Sequence, residues 1–179
     1  MLSINTTLFH TINQLAFQNA LIDRFMVWIT TTGSVILFCG TIGYVLLKRY
    51  RHEKLSGLVD RYSEYARIAK TLIVTYLFVA CIKIIVALPR PFLVLDSVKS
   101  LIFYGGNNSF PSGHAAMFAA LSVAVWYRHR WLGAILGVCT VLIGFSRVFV
   151  GVHYPLDVFA GFVIGAGIAI LMRTAQNKR

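Results

Sequence analysis

Long apolar runs alternate with short polar or basic segments along this 179-residue chain. A bilayer core of about 30 Å requires about 20 apolar residues per helix, and five runs approach that length. The pattern predicts an all-α, polytopic membrane helix bundle that forms a single domain over residues 1–179. The predicted spans cover roughly residues 25–47, 71–88, 111 to the basic turn at 126–131, that turn to 150, and 155–172.

The first 24 residues have a different pattern. Leu8, Ile12, Leu15 and Leu21 recur at helical spacing among Asn, Gln and Thr residues, so the segment is too polar to cross a bilayer. We expect residues 2–24 to form a helix that lies along the membrane interface. The segment also lacks the basic start, apolar core and small-residue cleavage site of a cleavable signal.

Composition supports membrane insertion and excludes several other classes. The chain is 58% hydrophobic and 13% charged, with a mean hydropathy of +0.73, which does not suit a soluble domain. A net charge of +11 could indicate nucleic-acid binding, but the cations collect in short segments beside the apolar runs, as in membrane topology. Cys39, Cys81 and Cys139 all lie in apolar runs, so we expect buried thiols and no disulfide framework.

The distribution of Lys and Arg predicts the orientation of the bundle. Of 17 such residues, 12 fall in residues 48–70, in the turn at 128–130 and in the C-terminal tail. The positive-inside rule places these segments in the cytoplasm and the N-terminus outside. We expect the membrane to be a bacterial cytoplasmic (inner) membrane. The remaining five then belong to the outer face: Arg24, Lys83, Arg90, Lys99 and Arg147.

His153 and Asp157 form the first candidate site. Ionisable residues are costly inside an apolar membrane sequence and usually mark function there. Four residues apart, the two side chains lie on one face of a helical turn, where the carboxylate can accept the ring N–H and fix its tautomer. Such an arrangement prepares an imidazole to act as a nucleophile or base.

The parity of the spans brings further polar residues to the same outer face. Three cations that converge on two histidines predict a phosphate site, because phosphate offers several equivalent oxygens to a guanidinium fork. Backbone N–H groups at the start of the third span would add donors. Each residue alone has a simpler explanation, such as an interfacial lysine or a helix cap, but their coincidence on one face favours a site. The predicted members are Lys83, Arg90, Ser112, Gly113, His114, Arg147, His153 and Asp157.

The order and spacing of these residues resemble the three-part signature of the type 2 phosphatidic acid phosphatase (PAP2) superfamily. Its parts are Lys83, six residues and Arg90-Pro91, then residues 111–114, then Ser146-Arg147, five residues, His153, three residues and Asp157. The resemblance covers residues 83–157 and implies a PAP2/haloperoxidase-like helical core. Hydropathy excludes the soluble vanadium haloperoxidases of that superfamily. Its membrane members commonly have six spans, one more than this sequence predicts.

The resemblance also implies a role for each residue. His153 would attack phosphorus to form a phosphohistidine, with Asp157 orienting its ring. His114 would protonate the leaving oxygen and then activate water. No metal or other cofactor is expected, since side-chain cations would neutralise the phosphate. The phosphate-binding group would be Lys83, Arg90, Ser112, Gly113 and Arg147.

An outward-facing site at membrane depth indicates a lipid phosphate as substrate, with membrane lipids as partners and no nucleic acid. Residues 19–23, 144–147 and 154–158 resemble small bacterial undecaprenyl pyrophosphate phosphatases, which often have Asp where Gly113 stands. Phosphatidylglycerophosphate, phosphatidic acid and lipid A 1-phosphate remain alternatives. An anion or lipid transporter is a hypothesis from another class, which predicts a site near the membrane midplane instead. The sequence does not predict an oligomeric state.

Overall fold

The computed structural model describes residues 2–47, 55–98, 100–102 and 106–177. Regular structure in these ranges is helical, apart from an isolated β-bridge between Pro89 and Asn108. A π-helical segment, Ile29–Gly33, joins α2 to α3 without a break. The α-helices are α1 Leu2–Asn13, α2 Ala20–Trp28, α3 Ser34–Leu47, α4 Leu55–Val86, α5 Pro91–Val94, α6 Gly113–Trp126, α7 Arg130–Phe149 and α8 Pro155–Asn177.

Within the described residues, four helical stretches are long and apolar enough to cross a membrane. They are Ala20–Leu47, Tyr62–Val86, Arg130–Phe149 and Pro155–Ala175. The fifth predicted span corresponds to α6, which has 14 residues and a length of about 21 Å. The prediction of an all-helical membrane bundle is confirmed, with one of its five spans shorter than expected.

Two boundaries differ from the predicted ones. The first span begins at Ala20 because Asn19 caps it, accepting hydrogen bonds from the backbone N–H groups of Leu21 (2.9 Å) and Ile22 (3.3 Å). The predicted interfacial helix is therefore confined to Leu2–Asn13. Most of the connection predicted at residues 48–70 is also helical, since α4 already begins at Leu55.

The short helix α6 lies at the centre of the bundle, against α4, α7 and α8. Small residues allow this close packing: a Cβ atom added to Gly161 would lie 2.6 Å from the Ser112 carbonyl oxygen, and one added to Gly165 would overlap the Ala116 carbonyl. A Cβ on Gly133 would likewise lie 2.5 Å from the Cα of Trp126. These glycines therefore allow α7 and α8 to lie close to α6. Helices α4, α7 and α8 pack against α6, so much of its surface faces protein rather than lipid.

Helix α1 packs over the ends of α7 and α8. Phe9 is fully buried in a cluster that includes Val148 and Val158. Asn13 donates a hydrogen bond to the Phe149 carbonyl (2.9 Å), and the Leu156 N–H donates to Asn5 Oδ1 (3.0 Å). The amino-terminal helix therefore covers the bundle beside the predicted site, and its position relative to a membrane remains a prediction.

The expectation of buried thiols is wrong. Cys39 and Cys81 are exposed and Cys139 is half-buried. All three lie in stretches able to cross a membrane, where lipid rather than water would surround them, so a weakly polar thiol gains little by turning inward. Several basic residues named above lie outside the described residues: those at 48–54, Lys99 and the last two residues of the tail.

Candidate active site

Five chain segments meet at one end of the bundle, which we call the site end. The helices α4 and α7 finish there and α6 and α8 begin there, while residues 87–112 connect α4 to α6. A cavity of about 570 Å³ opens at this end. Four predicted site residues line it together: Lys83, Arg90, Gly113 and His153.

His153 is fixed by three partners. Its Nδ1 atom lies 3.5 Å from Asp157 Oδ2 and 3.4 Å from the hydroxyl of Ser109. On the other side of the ring, Nε2 lies 3.3 Å from Nη1 of Arg90. A guanidinium can only donate, so this contact makes Nε2 an acceptor and assigns the ring proton to Nδ1, facing Asp157. The predicted pairing of ring and carboxylate is present, and the unprotonated nitrogen is the one near Arg90.

The charge state of His153 suits a nucleophile. The ring lies between α7 and α8 and is almost completely buried. Burial lowers its pKa well below the ordinary value, and the positive charges of Arg147, Arg90 and Lys83 lower it further. At neutral pH the imidazole is therefore uncharged, so its 3.5 Å contact with Asp157 is not an ion pair.

Asp157 is 1% exposed and is held through a single oxygen. Besides its contact with His153, Oδ2 accepts a hydrogen bond from the Ser109 hydroxyl and another from the Tyr154 N–H (2.9 Å). The carboxylate thus has donors from the loop before α6 and from the start of α8. Three contacts at one oxygen fix the orientation of the carboxylate beneath the ring.

Each of the three predicted cations donates a hydrogen bond to a neutral oxygen. Lys83 Nζ donates to the Asn108 carbonyl (2.9 Å), while Nη1 of Arg90 donates to the Val152 carbonyl (2.8 Å). Nη1 of Arg147 donates to the Thr30 hydroxyl (2.8 Å). Such contacts orient a cation without neutralising it. Of the three, Lys83 and Arg90 line the cavity at the site end.

The start of α6 contributes Ser112, Gly113 and His114. Ser112 occupies the N-cap position, but its hydroxyl makes no capping bond. That hydroxyl is buried and has no hydrogen-bond partner among the described residues, whereas the Ser112 N–H donates to the Asp157 carbonyl (2.9 Å). Ser112 therefore does not cap α6 through its side chain, and its hydroxyl is available to a ligand.

His114 lines a second cavity that adjoins the first. It lines an apolar groove of about 450 Å³ between α3, α4 and α6, which shares Lys83 and Gly113 with the polar cavity. His114 also contributes to the lowered pKa of His153, so the two histidines lie near each other. The groove walls are otherwise largely apolar, and they include Val35, Phe38, Tyr76, Val79, Ala80 and Met117.

Sequence reasoning missed Ser109 and Thr30. Ser109 lies in a run of Gly, Asn and Ser that resembles a flexible loop, although it stands only two residues before Pro111. Thr30 lies in the first span, far from the signature, within the π-helical segment. π-helical turns occur often at functional sites, but neither residue has a sequence pattern that separates it from ordinary loop or span residues.

Among the described residues, no group of three or more His, Cys, Asp or Glu side chains could hold a metal ion. The sequence has six acidic residues, and one of them, Asp157, contacts the predicted site residue His153. The expectation of metal-independent chemistry stays a prediction.

These features define a helical integral membrane protein with a pocket lined by Lys83, Arg90 and His153 at one end of its bundle. Residues 64–179 match the PAP2 superfamily. The chain belongs to that superfamily and is a hydrolase of the lipid phosphatase type, which confirms the resemblance noted in its signature. The transporter hypothesis is accordingly set aside.

Comparison with individual proteins supports the same assignment. The chain is 32% identical to the undecaprenyl-diphosphatase BcrC of Bacillus subtilis over 171 residues, 94% of this chain and 82% of the relative. It is 31% identical to an undecaprenyl-diphosphatase of Sulfolobus acidocaldarius over 182 residues, 95% and 77% of the respective chains. The crystal structure of Aquifex aeolicus LpxE superposes with a TM-score of 0.76 at 27% identity, covering 96% of this chain and 95% of the other.

The neighbourhood of Ser109 leads to a testable expectation. Ser109→Ala removes one of the hydrogen bonds that orient Asp157, and a bond to a charged group contributes about 1.5–3 kcal/mol. We expect kcat to fall about 10- to 100-fold, with little change in KM because the hydroxyl faces the carboxylate. Steady-state kinetics on a lipid phosphate would measure this split. Asn107→Ala, at a residue that lines the same cavity, is the matched control, and an equal fall in both variants would contradict the assigned contact.

Proposed function

We propose that this protein hydrolyses undecaprenyl pyrophosphate to undecaprenyl phosphate and inorganic phosphate, without a metal ion. The observation that carries the proposal is the neutral His153 ring, held by Asp157 and Ser109 in the wall of a cavity that Lys83 and Arg90 also line. Similarity to two undecaprenyl-diphosphatases over most of the chain supports the choice of substrate.

In the first step, the lone pair of His153 Nε2 attacks the terminal phosphorus. The P–N bond forms as the bond to the bridging oxygen breaks, and undecaprenyl phosphate leaves with the electron pair. The phosphorylated ring becomes cationic, because Nδ1 keeps its proton, and Asp157 stabilises that charge. Lys83, Arg90 and Arg147 stabilise the phosphoryl oxygens in the transition state.

In the second step, water attacks the phosphohistidine and the P–N bond breaks. His114 removes a proton from the attacking water. Where the substrate has a leaving oxygen that needs a proton, His114 supplies that proton in the first step. Inorganic phosphate leaves and the neutral His153 is regenerated. The buried hydroxyl of Ser112 and the Gly113 N–H are further donors for the phosphate oxygens.

The apolar groove supplies a place for the lipid chain. It meets the polar cavity at Lys83 and Gly113, so a phosphate held by Lys83 can continue into an isoprenoid that lies between α3, α4 and α6. Apolar walls with a few polar groups at one end are typical of sites for amphipathic ligands.

A bulky side chain in the groove tests this assignment. We expect Ala80→Trp to lower kcat/KM for undecaprenyl pyrophosphate at least about tenfold through steric exclusion, while hydrolysis of a short, soluble pyrophosphate ester changes less than about twofold. Leu77→Trp is the control, since Leu77 is exposed on the same helix and does not line the groove. Equal losses on both substrates would argue against a lipid-binding groove.

We further propose that the site end faces the exterior of a bacterial cytoplasmic membrane, with the C-terminus in the cytoplasm. The distribution of Lys and Arg supports this orientation. Labelling of single cysteines by a membrane-impermeant reagent in intact cells would test it, with one cysteine at Asn107 and another at Arg130. Labelling of the second position in preference to the first would invert the orientation.

The substrate is tested with purified protein in detergent and EDTA. Phosphate release is compared for undecaprenyl pyrophosphate, phosphatidylglycerophosphate, phosphatidic acid and lipid A 1-phosphate. We expect the highest kcat/KM on undecaprenyl pyrophosphate and undiminished rates in EDTA. A preference of tenfold or more for another member of the panel would replace the substrate, and loss of activity in EDTA that Mg²⁺ restores would overturn the metal-independent mechanism.

A further inference from the structure

A second charged cavity lies at the other end of the bundle, away from the catalytic residues. It has a volume of about 140 Å³, roughly a quarter of the polar cavity at the site end. Glu64 lies 19 residues before Lys83 on α4, which places the two ends about 28 Å apart along the helix. The lining includes Glu64, Arg67, Thr71, Tyr127, Arg128 and Arg173, and we call it the Arg67 cavity.

The charges of the Arg67 cavity do not cancel. Its carboxylate, Glu64, is 6% exposed and is shared by Nε of Arg128 (3.5 Å) and Nε2 of His129 (3.4 Å). The other two arginines come from α4 and α8, so three guanidinium groups from separate parts of the fold face one carboxylate that is already engaged. The excess positive charge favours an anion in the cavity.

Two of the arginines are suited to hold such an anion. The guanidinium of Arg173 lies 5.2 Å from the ring centroid of Tyr127, a cation–π contact that restricts its motion while leaving its N–H groups available. Arg67 lies one turn after Glu64 on α4 and carries no carboxylate partner among the described residues. Planar guanidinium forks match the oxygens of a phosphate group.

The level of the cavity in the membrane indicates where the phosphate comes from. The turn between α6 and α7, which contributes Arg128, is flanked by Trp126 and Trp131, the second of which is 86% exposed. Exposed tryptophans at helix ends mark the headgroup region. Basic pockets between membrane helices at this depth are typical binding sites for lipid phosphates.

We propose that the Arg67 cavity binds the headgroup phosphate of an anionic phospholipid from the leaflet opposite the catalytic cavity. The lipid would join α4, the α6–α7 turn and α8, which each contribute an arginine to the cavity. This site is separate from the proposed phosphatase reaction and takes a phosphodiester that the enzyme does not cleave.

Native mass spectrometry of the full-length protein in detergent tests the proposal. The wild type, an Arg67→Gln/Arg173→Gln variant and an Arg130→Gln control are each incubated with phosphatidylglycerol or phosphatidylcholine. Arg130 is exposed on the same turn and does not line the cavity. We expect the wild type and the control to retain phosphatidylglycerol over phosphatidylcholine, and the double variant to retain at least about tenfold less. Phosphate release in lipid-free detergent should be the same for all three.

Three results would overturn the proposal. The first is equal retention of phosphatidylglycerol by the double variant and the control, and the second is no preference for phosphatidylglycerol in the wild type. The third is retention of added inorganic phosphate through Arg67 and Arg173 without retention of the lipid, which would make the occupant a soluble anion. If the double variant loses phosphate release, retention of phosphatidylglycerol is compared instead between the single variants Arg173→Gln and Arg173→Lys. Higher retention by the lysine variant supports the proposal, and equal retention rejects it.

Discussion

Replacing His153 with alanine is expected to abolish phosphate release from every lipid phosphate, with kcat falling at least about 10⁴-fold. The physical reason is the position of Nε2, which is the unprotonated ring nitrogen near Arg90, while Nδ1 faces Asp157. Alanine removes the atom that would bond to phosphorus. No other described residue combines a neutral imidazole with contacts to both a carboxylate and a site cation.

The decisive measurement is a trapping experiment. Protein mixed with substrate labelled at its terminal phosphate and quenched in base should carry acid-labile label on His153 in the wild type and none in His153→Ala. His10→Ala is the matched control, because His10 lies on α1 and lines neither cavity of the candidate site. It should keep both label and activity. Label that persists in His153→Ala would show that another residue is the nucleophile.

His114→Ala is expected to separate two kinds of substrate. The leaving group of a monoester such as phosphatidic acid is an alkoxide, which needs a proton. The leaving group of undecaprenyl pyrophosphate is undecaprenyl phosphate, which is stable without one. Loss of a general acid typically lowers a rate 10²- to 10⁴-fold. We expect a fall of about that size on the monoester and a fall at least about ten times smaller on the pyrophosphate, measured as kcat for both substrates with the same preparation.

A neighbouring residue separates this effect from altered lipid binding. Met117 follows His114 by one turn of α6 and lines the same groove. Met117→Ala removes apolar contact but no proton donor, so it should affect the monoester and the pyrophosphate to the same extent. Equal losses on both substrates in His114→Ala would contradict the assignment of His114 as the proton donor to the leaving group.

The spans and the main site residues were predictable because each has a local cause. A helix that crosses a bilayer needs a long apolar run, so Arg130–Phe149 and Pro155–Ala175 are evident in the sequence. His153 and Asp157 are also linked locally, since four residues make one helical turn. The boundary that differed from the prediction has a local cause too, because the Asn19 cap starts the first span earlier than the apolar pattern alone indicates.

The residues that support the site were not predictable in the same way. Ser109 contacts Asp157 across 48 positions of sequence, and Thr30 contacts Arg147 across 117. Neither contact follows from hydrophobic periodicity or from the signature. The outward cysteines were misjudged for a related reason, because the inward and outward faces of a uniformly apolar helix are alike in sequence.

The sequence by itself determined that this is a polytopic membrane protein, and the order and spacing of its ionisable residues determined the family of its site. These properties depend on hydropathy and short-range spacing, which a chain carries before it folds. Only the tertiary structure decided which nitrogen of His153 faces the cavity, that Ser112 keeps its hydroxyl free of the helix cap, and that three arginines meet beside Glu64 at the opposite end. Each of these depends on how separate helices pack against α6, and packing between distant segments is fixed by the whole fold rather than by any one stretch of sequence.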